Sequence, residues 1–298
     1  VNALARAPGS GWLREKVLGL SARRSLPVWE REPFTRRSGD PAPPRAGREV
    51  VMLADTFNNH FDAQTLRAAQ RVLEAAGWQV HVARPVADDP QPDRALCCGR
   101  TWLSAGWLDE ARAELNRMLA ALAPFVARGV PIVGLEPSCL LTLRDEALVL
   151  GLGEAAHQVA ASAQLFEEFL AAKMAAGELD VPLAAQPGLT LKVHGHCHQK
   201  AFDALSPVHQ VLARIPGARV EPIESSCCGM AGAFGYEAEH FDVSMKMAEL
   251  SLLPAVRAAD DNAWIVADGT SCRHQILDGA GREALHVARV LERCLYHH

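Results

Sequence analysis

Two tripeptides, Cys97-Cys98-Gly99 and Cys227-Cys228-Gly229, are the residues in this chain best suited to chemistry. Adjacent thiols make a poor disulfide, because neighbouring Cα atoms lie ~3.8 Å apart and an unstrained bridge needs ~4.4 Å. In a regular strand the two side chains would point to opposite faces, so both reach one centre only where the chain turns. A following glycine supplies that turn. The second pair has distant companions, Cys197 thirty residues before Cys227 and Cys272 forty-four after Cys228. Cys197, Cys227, Cys228 and Cys272 make four thiolates, the donor set of a 4Fe–4S cluster. Zinc fits less well, since structural zinc sites usually carry close Cys-x-x-Cys pairs. The first pair has Cys139, but Thr56 stands where a leading cysteine is due. Cys97, Cys98 and Cys139 therefore leave one position for Glu136, His60, water or a partner's group. One cluster is expected at the second set, and a second at the first set stays open.

The remaining reactive residue types have plainer readings. His194, His196 and His198 alternate and would share one face if extended; they suit hydrogen bonding to sulfur or backbone better than ligation. Gly229, Gly232 and Gly235 match neither dinucleotide nor P-loop spacing. Glu136 precedes Pro137-Ser138, which reads as a helix start. Asp109-Glu110 and Glu167-Glu168 read as solvated faces, and Cys294 as a small core hydrophobe. No Ser/His/Asp elbow and no carboxylate pair is placed for hydrolysis.

Elements that must carry these residues alternate between strand and helix. Apolar runs at Val50–Ala54, Val80–Ala83 and Ile132–Leu135 suit buried parallel strands. Helices are expected from Asp62 to Gly77 and over Asp109–Arg128. The order recurs with strands Leu189–Val193, Arg219–Ile223 and Trp264–Ala267. Helices go with them around Val208–Ile215, Ala238–Ala258 and Val287–Leu295, and an Ala-rich helix over 153–176 joins the halves. Cys97 and Cys227 are 130 residues apart, Cys139 and Cys272 133, and Thr56 and Cys197 141. Such near-constant offsets indicate an internal duplication. The expected fold is α/β, with two pseudo-symmetric parallel α/β lobes, each with its Cys-Cys-Gly motif. The thiols would gather at the carboxyl ends of strands, where open α/β sheets collect ligands. The expected divisions are 1–47 as an extension with an Asp40–Arg45 linker, 48–152 as the first lobe, 153–188 as a connection and 189–298 as the second lobe. Trp12, Trp29 and Phe34 suggest that parts of the extension dock.

Composition narrows the class. The chain has 298 residues, 49% of them hydrophobic, and a formal charge of −5, which gives no footprint for nucleic acid. No stretch of ~18 apolar residues is uninterrupted. Without an apolar leader a cytoplasmic location is expected, and eight cysteines there are better read as metal or catalytic groups than as disulfides. A first residue of Val1 hints at a fragment.

The motifs resemble a known family. They are Asp55-Thr56-Phe57, Cys97-Cys98-Gly99-Arg100, Glu136-Pro137-Ser138-Cys139, His194-Gly195-His196-Cys197-His198, Cys227-Cys228-Gly229-Met230 and Asp268-Gly269-Thr270-Ser271-Cys272-Arg273. From about Arg48 onward they resemble the cysteine-rich (CCG) domain found in heterodisulfide reductase and in the iron–sulfur subunits of glycolate oxidase and anaerobic glycerol-3-phosphate dehydrogenase. The similarity is greatest to the C-terminal part of fusions with an FAD-linked oxidase of D-lactate dehydrogenase type. That resemblance implies an oxidoreductase component that passes electrons from reduced FAD, held on an upstream domain or partner subunit, to a quinone or other acceptor. It also implies a peripheral place at the inner membrane through a partner, and no hydroxy-acid oxidation by this chain alone. The final Cys-x-x-Cys of the family is reduced here to Glu136-x-x-Cys139 and Gly269-x-x-Cys272, so neither half supplies five cysteines. Heterodisulfide-type thiol chemistry at a cluster, or a zinc-binding or degenerate scaffold, are the alternatives.

Overall fold

The computed structural model describes residues 2–5, 9–37 and 48–296. Each half forms a four-stranded parallel sheet. The first contains β1 (Glu49–Met52), β2 (Gln79–Val82), β3 (Ile132–Gly134) and β4 (Ala163–Leu165), in the order β2-β1-β3-β4. The second contains β5 (Thr190–Val193), β6 (Arg219–Pro222), β7 (Trp264–Val266) and β8 (Ala284–Leu285), in the equivalent order β6-β5-β7-β8. The same strand order in each half makes the two lobes a duplicated α/β unit.

Strand periodicity explains how both faces of a sheet are used. Val50 and Met52 face a core shared by the lobes, whereas Val51 and Leu53 face a second cluster on the outer side of the first lobe. The shared core is filled by four helices, Ala63–Ala75, Phe166–Ala175, Ser206–Leu212 and Val287–Arg293. Leu66, Ala69, Val72 and Leu73 recur at helical spacing on the Ala63–Ala75 helix and are fully buried. That helix packs on Val287–Arg293 of the other lobe, while Phe166–Ala175 packs on Ser206–Leu212. The lobes are thus joined by a reciprocal exchange of helix contacts.

The structure corrects several sequence expectations. The stretch 153–176 is not one helix: Glu154–Ser162 and Phe166–Ala175 are separated by β4, which pairs with β3. Ala163 and Leu165 are buried there, so the edge pairing overrides alanine's helix propensity. The Ala238–Ala258 stretch likewise divides into Phe241–Glu249 and Leu252–Ala258, with Ser251 at φ −157° between them. Glu167 is not on a solvated face but wholly buried at the lobe interface.

Residues 9–37 pack against the lobes. Arg24 is 1% exposed and donates to Gly235 O at 2.9 Å, Gln275 Oε1 at 2.7 Å and Ser244 Oγ at 3.2 Å. Phe34 is buried in the shared core and Trp29 lies against Phe61 at 4.6 Å, but Trp12 stays 66% exposed. The Asp40–Arg45 linker expectation lies outside the described residues. Among the described residues no helix is long and apolar enough to cross a membrane.

Candidate metal centre

Each of the seven cysteines singled out above follows the carboxyl end of a strand. In the second lobe three adjacent strands deliver them: Cys197 after β5, Cys227 and Cys228 after β6, and Cys272 after β7. Cys197 opens the helix Cys197–Ala201, whose start is fixed by a reciprocal cap. His196 Nδ1 accepts from His198 N at 3.1 Å, and Gln199 Oε1 accepts from His196 N at 3.0 Å. Cys272 lies in the first turn of Thr270–Ala280. The turn between the paired cysteines and the next helix needs Gly229, at φ 87°, because a Cβ there would lie 2.3 Å from Ser244 O.

The four thiols meet in a row. Each thiol interacts with the next, Cys197 with Cys227, Cys227 with Cys228, and Cys228 with Cys272, and all four are free thiols. Cys197 is exposed, Cys227 half-buried, and Cys228 and Cys272 buried, so the row runs from the surface inward. Hydrogen bonds from Cys197 and Cys228 hold the Cys227 thiol down, at about 2. The neighbouring Cys228 likewise lowers Cys272, against its burial. Cys197 is raised by its bond to Cys227, and Cys228 by its bonds to Cys227 and Cys272. Gly229 N adds a bond to Cys227 Sγ at 3.3 Å.

Four converging soft donors, two of them buried, suit an iron–sulfur cluster or zinc and no hard cation. The chemistry of this donor set fits the cluster expected from the sequence. A fifth cysteine has no room beside them: a Cβ at Gly269 would lie 2.3 Å from His196 Cδ2 and 3.3 Å from Cys272 Sγ.

The three histidines do not share a face, because the chain leaves β5 and enters a helix within them. His196 and His198 stack at 5.2 Å beside Cys197, their Nδ1 atoms 3.9 and 3.8 Å from its sulfur. Arg100 Nη2 lies 3.0 Å from His198 Nε2, and a guanidinium can only donate, so Nε2 accepts and Nδ1–H faces Cys197. Burial, with His196 and Arg100 beside it, pushes His198 down to about 4, which keeps it neutral. His194 turns instead to Ser225.

The first lobe repeats the row with one member changed. Cys97 bonds Cys98, and Cys98 bonds Cys139. Thr56 bonds Cys97, so its hydroxyl takes the place that Cys197 holds in the second lobe. Cys97 is raised by its bond to Cys98, and Cys98 by its bond to Cys139. For Cys139 the Cys98 bond is outweighed by burial and by the Asp55 and Glu136 carboxylates, which push it up to about 11. Gly99, at φ 76°, again makes the turn, with a Cβ excluded by Ala111 O at 2.9 Å.

Of the two protein candidates named for the open position, Glu136 is already engaged on both oxygens. Glu136, 2% exposed, accepts from Ser138 Oγ at 2.9 Å and from Thr270 N of the other lobe at 2.8 Å. His60 lies against Trp29 and Asn59. Cys294 is buried in the shared core. The cross-lobe contacts of Arg100 and Glu136 were not anticipated from sequence. Their only signal is position, directly after a Cys-Cys-Gly and three residues before a cysteine.

The fold and site thus define a duplicated, cysteine-rich α/β protein with a cluster of thiols on each lobe. Residues 191–276 match the family model of the cysteine-rich (CCG) domain, and the chain is similar to parts of dehydrogenases. It is 29% identical over 247 residues to D-2-hydroxyglutarate dehydrogenase of Escherichia coli K12, covering 82% of this chain and 22% of that protein. It is 24% identical over 289 residues to a subunit of the anaerobic glycerol-3-phosphate dehydrogenase of the same organism, covering 95% of this chain and 69% of that one. A D-2-hydroxyglutarate dehydrogenase of Pantoea ananatis is 26% identical over 245 residues, covering 82% of this chain and 22% of that protein. The chain therefore spans under a quarter of the hydroxyglutarate dehydrogenases it matches.

Proposed function

We propose that this chain is the iron–sulfur electron-transfer part of a flavin-linked 2-hydroxy acid dehydrogenase. Cys197, Cys227, Cys228 and Cys272 would hold one 4Fe–4S cluster. Such a cluster, when bound, accepts and releases single electrons. The observation that carries this reading is the unbroken row of four sulfurs, presented from three neighbouring strands. The chain's own residues shape that site in definite ways. Gly229 N and His198 Nδ1–H direct hydrogen bonds at sulfur. The buried Cys228 and Cys272 exclude water from the inner side, and the exposed Cys197 gives a short route to a partner.

The donor would be reduced FAD on an upstream domain or separate subunit, and the acceptor a quinone or another carrier. Work in the cytoplasm, reaching the inner membrane through a partner, is consistent with that role. The chain alone would not oxidise a hydroxy acid. Cys97, Cys98 and Cys139, with the Thr56 hydroxyl, form a three-thiol site. This site favours one second reading, a cluster with an open position able to meet a substrate thiol or disulfide.

Anaerobic reconstitution with iron and sulfide tests the main reading. About four irons per chain and an EPR signal on reduction are expected, both lost on changing Cys227 or Cys272 to Ser. Zinc without acid-labile sulfide would overturn it in favour of a structural scaffold. Iron uptake well above four per chain, abolished by Cys98→Ser, together with a spectrum altered by added thiol, would support the open-site reading.

A further inference from the structure

We infer that Arg100 of the first lobe is a positioning residue for the second-lobe centre: it fixes His198 with Nδ1–H toward the Cys197 sulfur, and that hydrogen bond raises the centre's reduction potential. The inference rests on the cluster reading above and deepens it.

Arg100 directly follows the Cys97-Cys98-Gly99 turn, yet its guanidinium reaches the other lobe. One arm of the fork is anchored at home, where Nη1 donates to Glu146 and lies 3.5 Å from Thr142 Oγ1. The other arm, Nη2, lies 3.0 Å from His198 Nε2. A guanidinium is planar, so anchoring one arm orients the other. His198 is the second residue of the helix Cys197–Ala201, and its Nδ1 lies 3.8 Å from Cys197 Sγ.

Chemistry decides which atoms carry protons. Arginine has no acceptor, so Nη2 donates and His198 Nε2 supplies its lone pair. An imidazolium has no lone pair to offer, so the ring is neutral and its single N–H is at Nδ1, the atom beside Cys197. The neighbouring His196 cannot do the same. Its Nδ1 lies 3.9 Å from the sulfur but accepts from His198 N at 3.1 Å. His196 instead stacks on His198 at 5.2 Å and holds its ring plane. A cluster-bound thiolate has lone pairs and no proton, so it accepts from His198. Reduction adds negative charge to the centre and its sulfurs, and a fixed N–H dipole aimed at a sulfur favours that state.

The duplication supplies a comparison within the molecule. Phe57 follows Thr56 where His198 follows Cys197, and Met230 follows the second Cys-Cys-Gly where Arg100 follows the first. The Phe57 side chain has no N–H to offer. The arrangement therefore runs one way, from the three-thiol lobe to the four-thiol lobe.

Two measurements test it. The first needs no metal: nitrogen NMR shifts of the His198 ring in the iron-free chain, assigned by the signals that His198→Phe removes. Wild type is expected to show Nδ1 protonated and Nε2 bare, and Arg100→Leu to lose that preference. A ring protonated at Nε2 in wild type, or a tautomer unmoved by Arg100→Leu, overturns the inference. The second is a redox titration followed by EPR on the reconstituted protein. His198→Phe, which copies the first lobe, should keep its iron and shift the midpoint potential to more negative values. Arg100→Leu should shift it the same way, and Arg100→Lys, which keeps the charge and a donor, should recover part. Added to His198→Phe, Arg100→Leu should shift the potential less than it does in wild type. An unmoved potential in His198→Phe, or an Arg100→Leu shift of equal size with and without His198, overturns it. If His198→Phe loses its iron, an unmoved potential in Arg100→Leu does so instead. Wild type that takes up no iron overturns the cluster reading and the claim on its potential, and the ring shifts of the iron-free chain tell that outcome from a failure of the Arg100 contact.

Discussion

At the scale of single residues, the least comfortable group is not a cysteine but Glu167. Both carboxyl oxygens are buried without a hydrogen-bond partner, and His286 Nε2 lies 3.8 Å from Oε1. Burial, and then the Asp268 charge, push this carboxyl well above the usual range, so it holds a proton in the folded chain. Its neighbour His286 is no metal ligand. His286 Nδ1 accepts from Ala288 N at 3.0 Å, which leaves Nε2–H to donate to Leu135 O at 3.0 Å. Asp268, the trio's third member, accepts from Val287 N at 3.1 Å and from Gln199 Nε2 at 2.8 Å. The pH consequence follows from the raised folded value. In the unfolded chain Glu167 releases its proton above about 4.3, whereas in the folded chain it keeps it, so its stabilising share is full below that pH and is lost as pH rises. Glu167→Gln should flatten the fall in unfolding temperature between acid and mildly alkaline pH. Glu167→Leu should raise stability at pH 8 by about 1–3 kcal/mol, the cost of an unsatisfied buried polar group. Urea unfolding across pH checks both, and an unchanged pH slope would refute the assignment.

At the scale of elements, the two Cys-Cys-Gly turns set how much of the site was legible. Gly99 and Gly229 both adopt positive φ, and both press against a backbone carbonyl, more closely at Gly229. Gly229→Ala should therefore cost the second site more than Gly99→Ala costs the first. Iron retained after gel filtration of each variant measures this, and equal retention would count against it. The thiols could be found from sequence because cysteine is rare and its spacing repeats with the duplication. Strand and helix order could be found because buried parallel strands read as apolar runs. β4 and β8 escaped notice for the opposite reason. Ala163-Gln164-Leu165 and Ala284-Leu285 are too short to carry a period, and they are strands only because β3 and β7 offer them partners. Glu167 was misplaced on the same ground: beside Glu168 it looks like a solvated pair, and only tertiary packing separates the buried acid from the one that meets Arg144 at 2.6 Å.

At the scale of the whole molecule, the lobes hold each other's sites in place. Beyond the shared apolar core, Asp62 of the first lobe meets Arg273 at 3.1 Å, next to Cys272 in sequence, and Arg100 meets His198 beside Cys197. The contact with most consequence is Glu136. Its Oε2 accepts from Thr270 N, one of the first backbone N–H groups of the helix that carries Cys272, which has no partner within that helix. A carboxylate there also suits the positive end of the helix dipole. Glu136 occupies the first-lobe position equivalent to Gly269, so the residue that replaces a family cysteine in one lobe caps the cysteine-bearing helix of the other. Glu136→Ala would leave a part-buried N–H without its acceptor and let that helix start fray, at a cost of about 1–2 kcal/mol. Glu136→Gln, which keeps an acceptor oxygen but loses the charge, should cost less. Because the strain falls on Cys272, the Ala variant should release second-lobe iron faster to a chelator, although the substitution lies in the first lobe. If Glu136 served only its own lobe, chelation would strip a first-lobe centre and leave the Cys197, Cys227, Cys228 and Cys272 signal unchanged, and the cross-lobe cap would have no functional weight.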